Sequence, residues 1–474
     1  MCKSWTWGLL FVVFVTLLKL CNMDVTFFWD SIDCLSHSAQ LIYGSGMYYY
    51  AIDPLLDNGD PHVVPYYLAL VWTLFGKTLT VTHCAFIPFV VGVVVQLVLL
   101  GRRLFGDEKG SVLFFVMGCT VVMCNTTLLS ELLMLSVDVV VLFFGLMTVN
   151  AILRKSAWGM TIGFMGLIVS RRGMIIAATL MLVYAIGYVV ENRRRLTVAG
   201  VVRMLLPTLP ASMGVIFYLV MRLSLTGWFF TSDDNVWSGS AELVDFGRLV
   251  KNAVVYVWYQ IDFGRVVVWG VLLYALFKVG IRQVVRGDLG LLITMFVALH
   301  VVFMAVVLPM TNSFGQRYFI LHIVLLTFIA CKVVMMLSKR QSAVVAMCVM
   351  IMGLLGGNAV VYPETVKINW TSTLKHLHFY TLREECFEYL KEQDIELSEV
   401  ASGFSIYGNQ DLIFVTERHE VIASEPSMAR YYLYSNICNE SDAFIEQLHR
   451  DWTSVRRFSR CGVFIDVMQR RGAE

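Results

Sequence analysis

The sequence predicts a polytopic α-helical membrane protein of about eleven transmembrane helices, followed by a C-terminal extracytoplasmic α/β domain. Three observations carry that prediction. The 474 residues are 58% hydrophobic with mean hydropathy +0.69, more apolar surface than a soluble domain holds. The basic residues fall in tight clusters between apolar runs: Arg102-Arg103, Arg154-Lys155, Arg193-Arg194-Arg195, Lys278 to Arg286 and Lys339-Arg340. After Tyr362 the composition turns charged and mixed.

The apolar runs read as spans at about 6–22, 81–100, 111–126, 133–153, 157–170, 173–191, 203–221, 264–281, 289–309, 318–337 and 342–362. The fifth is short and needs tilt, local thinning or burial against neighbours. Basic clusters mark the cytoplasmic side, and an odd count with the N-terminus inside places every one of them there. The C-terminus is then outside. Residues 1–362 form the membrane domain, with outer loops at 22–80 and 224–263, and residues 363–474 a soluble domain of ordinary size, in which Leu382 to Gln393 and Ser441 to Asp451 read as helices and Ile413 to Val415, Tyr431 to Tyr434 and Gly462 to Met468 as strands. Met1 to Cys21 reads as an uncleaved signal anchor, because no small-x-small site precedes Asn22. A net charge of +2, with Arg and Lys confined to membrane flanks, leaves no nucleic-acid footprint. Eleven scattered cysteines show no zinc spacing, although two of Cys386, Cys438 and Cys461 could pair.

The first outer loop is acidic and aromatic, then turns at Asp57-Asn58-Gly59-Asp60-Pro61-His62 into an apolar stretch, Tyr66 to Phe75, that suggests an interfacial helix. Phe28-Trp29-Asp30-Ser31-Ile32-Asp33 follows the first span closely. A carboxylate at that depth can act as a base, but position alone favours a solvated loop acid or helix cap. Asp60 and His62 could hold a polar ligand, or simply form a turn. The second loop contains Asp233-Asp234 and a run, Leu243 to Ile261, with the spacing of a surface helix.

Three outward basic elements break the inside bias: Ser170-Arg171-Arg172-Gly173, Asn312-Ser313-Phe314-Gly315-Gln316-Arg317-Tyr318, and Arg248 with Lys251 on the expected surface helix. Arginine's planar fork suits phosphate, and lipid headgroups would satisfy it too. Glu131 and Asp138 sit in or beside the fourth span, with Glu131 expected at its outer edge. Asp138 is the deeper and could pair with an arginine or face a water-filled cavity.

Taken in order, these elements resemble the polyprenyl-phosphate-dependent GT-C glycosyltransferases. The likeness is to the family-39-like membrane proteins related to protein O-mannosyltransferases and lipid A aminoarabinose transferases. The closest stretch, Asp57 to Phe105, contains the Gly59-Asp60-Pro61-His62 turn, the helix from Pro65 to Trp72 and the exit Leu74-Phe75-Gly76-Lys77. Ser170-Arg171-Arg172-Gly173 resembles the family's basic-Gly element and Gln316-Arg317-Tyr318 its late Arg-Tyr element; the resemblance covers about residues 1 to 340. It departs in two places. The family's loop Asp is usually followed by Glu, whereas Ser31 follows Asp30 here, and Asp60 and His62 flank a single proline.

The resemblance implies an inverting glycosyltransferase in a bacterial inner membrane, N-terminus cytoplasmic and C-terminal domain periplasmic. It would move a hexosyl or pentosyl group from a polyprenyl-phosphate donor to a hydroxyl acceptor, protein, lipid or glycan, at the outer face. Asp30 takes the place of the family's loop Asp and would be the base for the acceptor hydroxyl, with Asp33 as the fallback. Arg171, Arg172 and Arg317 would bind the donor phosphate, and Asp60, His62, Tyr66, Asp233 and Asp234 the acceptor or sugar. Membrane lipids are further partners. No obligate metal is expected, although a divalent cation at Asp30 and Asp60 is chemically possible. The competing class is a transporter of an anionic or lipid-linked substrate. It would place polar residues at mid-depth and show repeated halves, and neither is visible in the sequence.

Overall fold

The computed structural model describes residues 2–106, 111–193, 197–229, 231–312, 314–363, 366–367, 369–416 and 420–472. Arg194, Arg195 and Ser313, which belong to basic elements noted above, lie outside the described residues. Seven described helices are long and apolar enough to cross a membrane: Leu79–Phe105, Val137–Arg154, Arg171–Asn192, Leu209–Thr226, Gly287–Val307, Gln316–Met335 and Arg340–Ala359. Two bent pairs raise the number to nine, Val112–Met123 with Thr126–Leu133 at 70° and Phe246–Ile261 with Arg265–Val279 at 79°. The expected eleven also included Cys2–Leu20 and Ala157–Leu167. Both are helical, but the second has only 11 residues, about 17 Å of rise.

Local chemistry explains where these helices begin and end. Thr78, Ser136 and Ser170 stand at helix starts, and their hydroxyls accept from Val81 N, Asp138 N and Gly173 N, filling donors that the first turn leaves free. Gly227, at φ +86°, ends Leu209–Thr226 in the left-handed region where a Cβ is costly.

The bend at residues 123–126 departs from the sequence expectation of two simple spans. Thr126–Leu133 is a short helix turned into the protein, with Glu131 fully buried rather than at an outer edge. Its polar residues hold it there. Asn125 Nδ2 donates to Thr327 Oγ1 at 3.1 Å, Thr126 Oγ1 to Ser372 O at 3.1 Å and Ser130 Oγ to Thr371 O at 2.5 Å. The buried Lys19 caps the other end, donating to Leu133 O at 2.6 Å and Met134 O at 3.1 Å.

The C-terminal region has strands β1 (Val400–Ser402), β2 (Gly408–Asn409), β3 (Val421–Ile422), β4 (Tyr431–Ser435), β5 (Trp452–Arg460) and β6 (Val463–Arg470). Four of them form a sheet in the order β1-β4-β6-β5, parallel between β1 and β4 and antiparallel elsewhere. Helix Leu377–Glu392 buries Phe379, Leu382, Cys386 and Leu390 in one cluster with Leu433, Ile465 and Val467 of the sheet. Residues 413–415, expected as a strand, belong instead to the short helix Gln410–Phe414 and its left-handed end, Val415 at φ +54°. Asn409 caps that helix, and its Ile413 carbonyl is spent on the first loop, accepting from Phe27 N at 3.2 Å. Cys386, Cys438 and Cys461 are all free, so the possible pairing among them is not made.

Candidate active site

Asp30 is aimed by its neighbours. Trp29 takes φ +51°, and Ser31 closes the turn, its Oγ donating to Phe28 O at 2.7 Å and accepting from Phe28 N at 3.0 Å. Ile32–His37 then continues as a π-helix, a widened form that recurs at functional sites. Three further elements converge on this turn. The cap at Ser136 puts Asp138 in a first helical turn, the cap at Ser170 does the same for Arg171 and Arg172, and Gln316–Phe319 is a 3-10 turn that presents Arg317. The opposite ends of the first two helices lie at Arg154 and beside Arg193, so the convergence is at the end away from those basic clusters.

The pairing is specific. Arg317 is ion-paired with Asp30, and its Nε lies 3.5 Å from Asp138 Oδ2. Arg172 Nη1 lies 2.7 Å from Asp138 Oδ1, with its guanidinium carbon 4.0 Å from the centre of the Tyr318 ring, a cation–π distance. Asp60 Oδ1 accepts from Arg171 N at 2.7 Å and lies 3.4 Å from its Nε, so an acid from the first loop sits on a helix N-terminus where negative charge is favoured. These six side chains, three carboxylates and three guanidinium groups, line one cavity of about 530 Å³, an ordinary size for a ligand pocket.

Surrounding contacts fix the wall. Gln316, next to Arg317, accepts from the fully buried Arg265 at 2.6 Å and donates to Asp262 Oδ2 at 2.9 Å. Arg265 also donates to Thr127 Oγ1 at 3.0 Å, and Tyr362 donates to Asp262. The two outer loops are tied together as well. Asn235 Nδ2 donates to Pro54 O at 2.7 Å and Asp57 O at 2.9 Å, while the buried Asp57 is ion-paired with the buried Arg222.

Of the residues singled out in the sequence, Asp30, Asp60, Arg171, Arg172 and Arg317 meet in the cavity wall. Asp33, His62, Tyr66, Asp233 and Asp234 are outside it. Asp33 is half-buried one helical turn on, and burial, with the charge of Asp30, pushes its carboxyl up to about 6. His62 is buried 3.5 Å from Asp57 and belongs to the loop knot. Tyr66 packs with its ring 5.7 Å from that of Tyr49. Asp233 and Asp234 are exposed on the loop that Asn235 anchors, and Trp237 of the same loop does reach the cavity. Asp138 both pairs with arginine and faces the cavity. The sequence signal for it was an ionisable residue inside an expected span. Asn58 of the first-loop turn, Tyr318 of the Arg-Tyr element and Trp237 also line the wall, although nothing in the sequence assigned any of them a role of its own there. Among the described residues no three His, Cys, Asp or Glu gather as a metal site, and Asp30 and Asp60 each face an arginine.

Two solved structures share this architecture. One is ArnT from Cupriavidus metallidurans bound to undecaprenyl phosphate, with TM-score 0.54 and 11% identity over 98% of each chain. The other is ArnT from the same organism in the apo state, with TM-score 0.52 and 12% identity over 98% of each chain. This chain has the GT-C fold of ArnT. That is the fold implied by the sequence resemblance, down to the small C-terminal sheet domain. No protein-family model matches the chain, and no curated protein does.

Proposed function

We propose that this protein is an inverting glycosyltransferase that moves a sugar from a polyprenyl-phosphate donor to a hydroxyl acceptor at the outer membrane face. The observation that carries the reading is the Asp30–Arg317 pair, opening on a cavity shared with Arg171 and Arg172. The ArnT fold and the undecaprenyl phosphate bound by that ArnT support a lipid-linked donor. Outer-face action is favoured because the cavity lies at the helix ends away from the basic clusters.

The chemistry follows from the layout. The lipid tail stays in the bilayer while the sugar phosphate enters between Arg172 and Arg317. The acceptor oxygen attacks the anomeric carbon from the face opposite the phosphate, and Asp30 takes the acceptor proton. As the anomeric carbon–oxygen bond breaks, the electron pair goes to the phosphate and its negative charge grows. Fixed guanidinium groups stabilise that charge without reorganisation. Asp138 holds Arg172 and Arg317 in place before the donor arrives, and Asp60 holds Arg171 at the same cavity wall. No step is assigned to a metal. The test is mass spectrometry of lipid-linked sugars and envelope glycans with and without the gene. A donor that accumulates while one glycan loses a sugar supports the reading; unchanged profiles of both overturn it.

A further inference from the structure

Among the described residues the C-terminal domain contributes none of those that line the cavity, yet it grips the segment that ends in Asp30. Phe27 N donates to Ile413 O at 3.2 Å, and the buried Arg383 donates to Thr26 Oγ1 at 2.8 Å. Phe28 is fully buried, its ring 5.7 Å from Phe379, 6.0 Å from Tyr380 and 5.6 Å from His376. Farther along the same loop, Lys77 Nζ is 2.7 Å from Asp411 Oδ2, and Gln40 donates to Asp411 O at 3.1 Å.

The last contact before Asp30 is the most constrained. The Trp29 ring meets the Phe404 ring edge-on at 5.1 Å between centres. Trp29 has φ +51° and Ser405, beside Phe404, has φ +83°. Left-handed backbone in such residues costs on the order of 1 kcal/mol each and persists only where packing imposes it. On the other side of Phe404, a Cβ at Gly403 would lie 2.3 Å from Glu440 Oε1 and 2.8 Å from Cys438 Cβ, so the turn is packed tightly against the domain. Two strained turns, one in each domain, therefore present the two rings to each other. Asp30 follows at once, in a turn closed by Ser31 on Phe28, with its carboxylate paired with Arg317.

We infer that Phe404 is a positioning residue for the transfer reaction, setting through Trp29 the direction in which Asp30 faces the cavity. This rests on the reading of Asp30 as the base. If it holds, losing the Phe404 ring slows the chemical step without weakening the phosphate subsite, because Arg171, Arg172 and Arg317 keep their places. Freed from Asp30, Arg317 would hold an anion as well or better. Damage of a merely structural kind would weaken the phosphate subsite together with transfer.

The test uses the full chain with Phe404→Ala, Phe404→Leu, Phe404→Tyr and Asp30→Asn. Transfer is read by glycan mass spectrometry in complemented cells at equal membrane abundance. Affinity of the purified protein is read with undecaprenyl phosphate as the probe. The expected result is at least a tenfold drop in transfer for Phe404→Ala and a smaller drop for Phe404→Leu. Phe404→Tyr should restore transfer, and all three should bind the probe at least as tightly as the parent. Should Phe404→Ala not accumulate, the Leu and Tyr variants decide by the same criterion. Full transfer in Phe404→Ala or Phe404→Leu beside an inactive Asp30→Asn overturns the inference and spares the proposed function. Parallel loss of transfer and probe affinity also overturns it. An active Asp30→Asn overturns the base assignment itself, and with it this inference.

Discussion

Asp30 and Arg317 are 287 residues apart in the chain and form one ion pair at the mouth of a shared cavity. Neither is fully exposed or fully sealed, with side-chain exposure of 34% and 9%. A pair of that kind can exchange partners when a ligand enters, as a fully buried one cannot without a large desolvation cost.

Asp30→Asn keeps the shape of the turn, since Ser31 rather than Asp30 closes it onto Phe28. Transfer should fall by about 10²–10⁴-fold, the usual contribution of a general base. Thermal stability should be nearly unchanged. The same measurement on Asp33→Asn separates the two carboxylates, and an inactive Asp33→Asn beside an active Asp30→Asn would reassign the base.

Arg172→Ala and Arg317→Ala each remove a guanidinium from the proposed leaving-group site. Each should lower kcat/KM for the donor by about 10²–10³-fold, the scale of losing one charge-stabilising donor. A defect seen only when the acceptor is varied would remove both from that role.

Asp33 takes up its proton more readily folded than unfolded, because burial raises its carboxyl to about 6. Its contribution to stability is therefore full below the unfolded value and lost as pH rises through about 6. Asp33→Asn should raise the melting temperature at pH 8 and change little at pH 4. Equal shifts at both pH values would show that the carboxyl is not held as described.

Arg222→Met takes the guanidinium away from the buried carboxylate of Asp57 and leaves it, among the described residues, only His62 and the Gly59 N–H. The cost expected is about 3–5 kcal/mol, the scale for breaking a buried pair from one side. The double variant Asp57→Asn/Arg222→Met should recover much of the lost melting temperature. Additive losses would mean that the pair does not hold the first outer loop to helix Leu209–Thr226.

The membrane helices and the two outward arginine elements were legible because each obeys a one-dimensional rule, apolar length or charge placement. Arg171, Arg172 and Arg317 drew notice as exceptions to one of those rules. Rules of that kind do not report tertiary partners, so the buried helix Thr126–Leu133 was missed. Its place depends on Lys19 and on the 371–372 segment. The role of His62 was likewise hidden until Asp57 and Arg222 were seen beside it. Strand β5 escaped because its residues are mostly exposed and lack an alternating apolar face. It is paired through the Cys461-Gly462 turn, where both residues have positive φ, as a two-residue hairpin requires. Residues 413–415 looked like a strand by composition, and Asn409 capping with docking on Phe27 made them a helix end.

Among the described residues the cavity wall holds equal numbers of acidic and basic groups, and that balance has a kinetic consequence. A site with opposite charges in balance casts little field beyond a Debye length, about 8 Å in physiological salt. It cannot draw an anion from bulk water as a strongly cationic cleft does. Capture of an amphiphilic donor then becomes a search in two dimensions, limited by lateral diffusion within the bilayer, and its rate should stay nearly flat as ionic strength is varied.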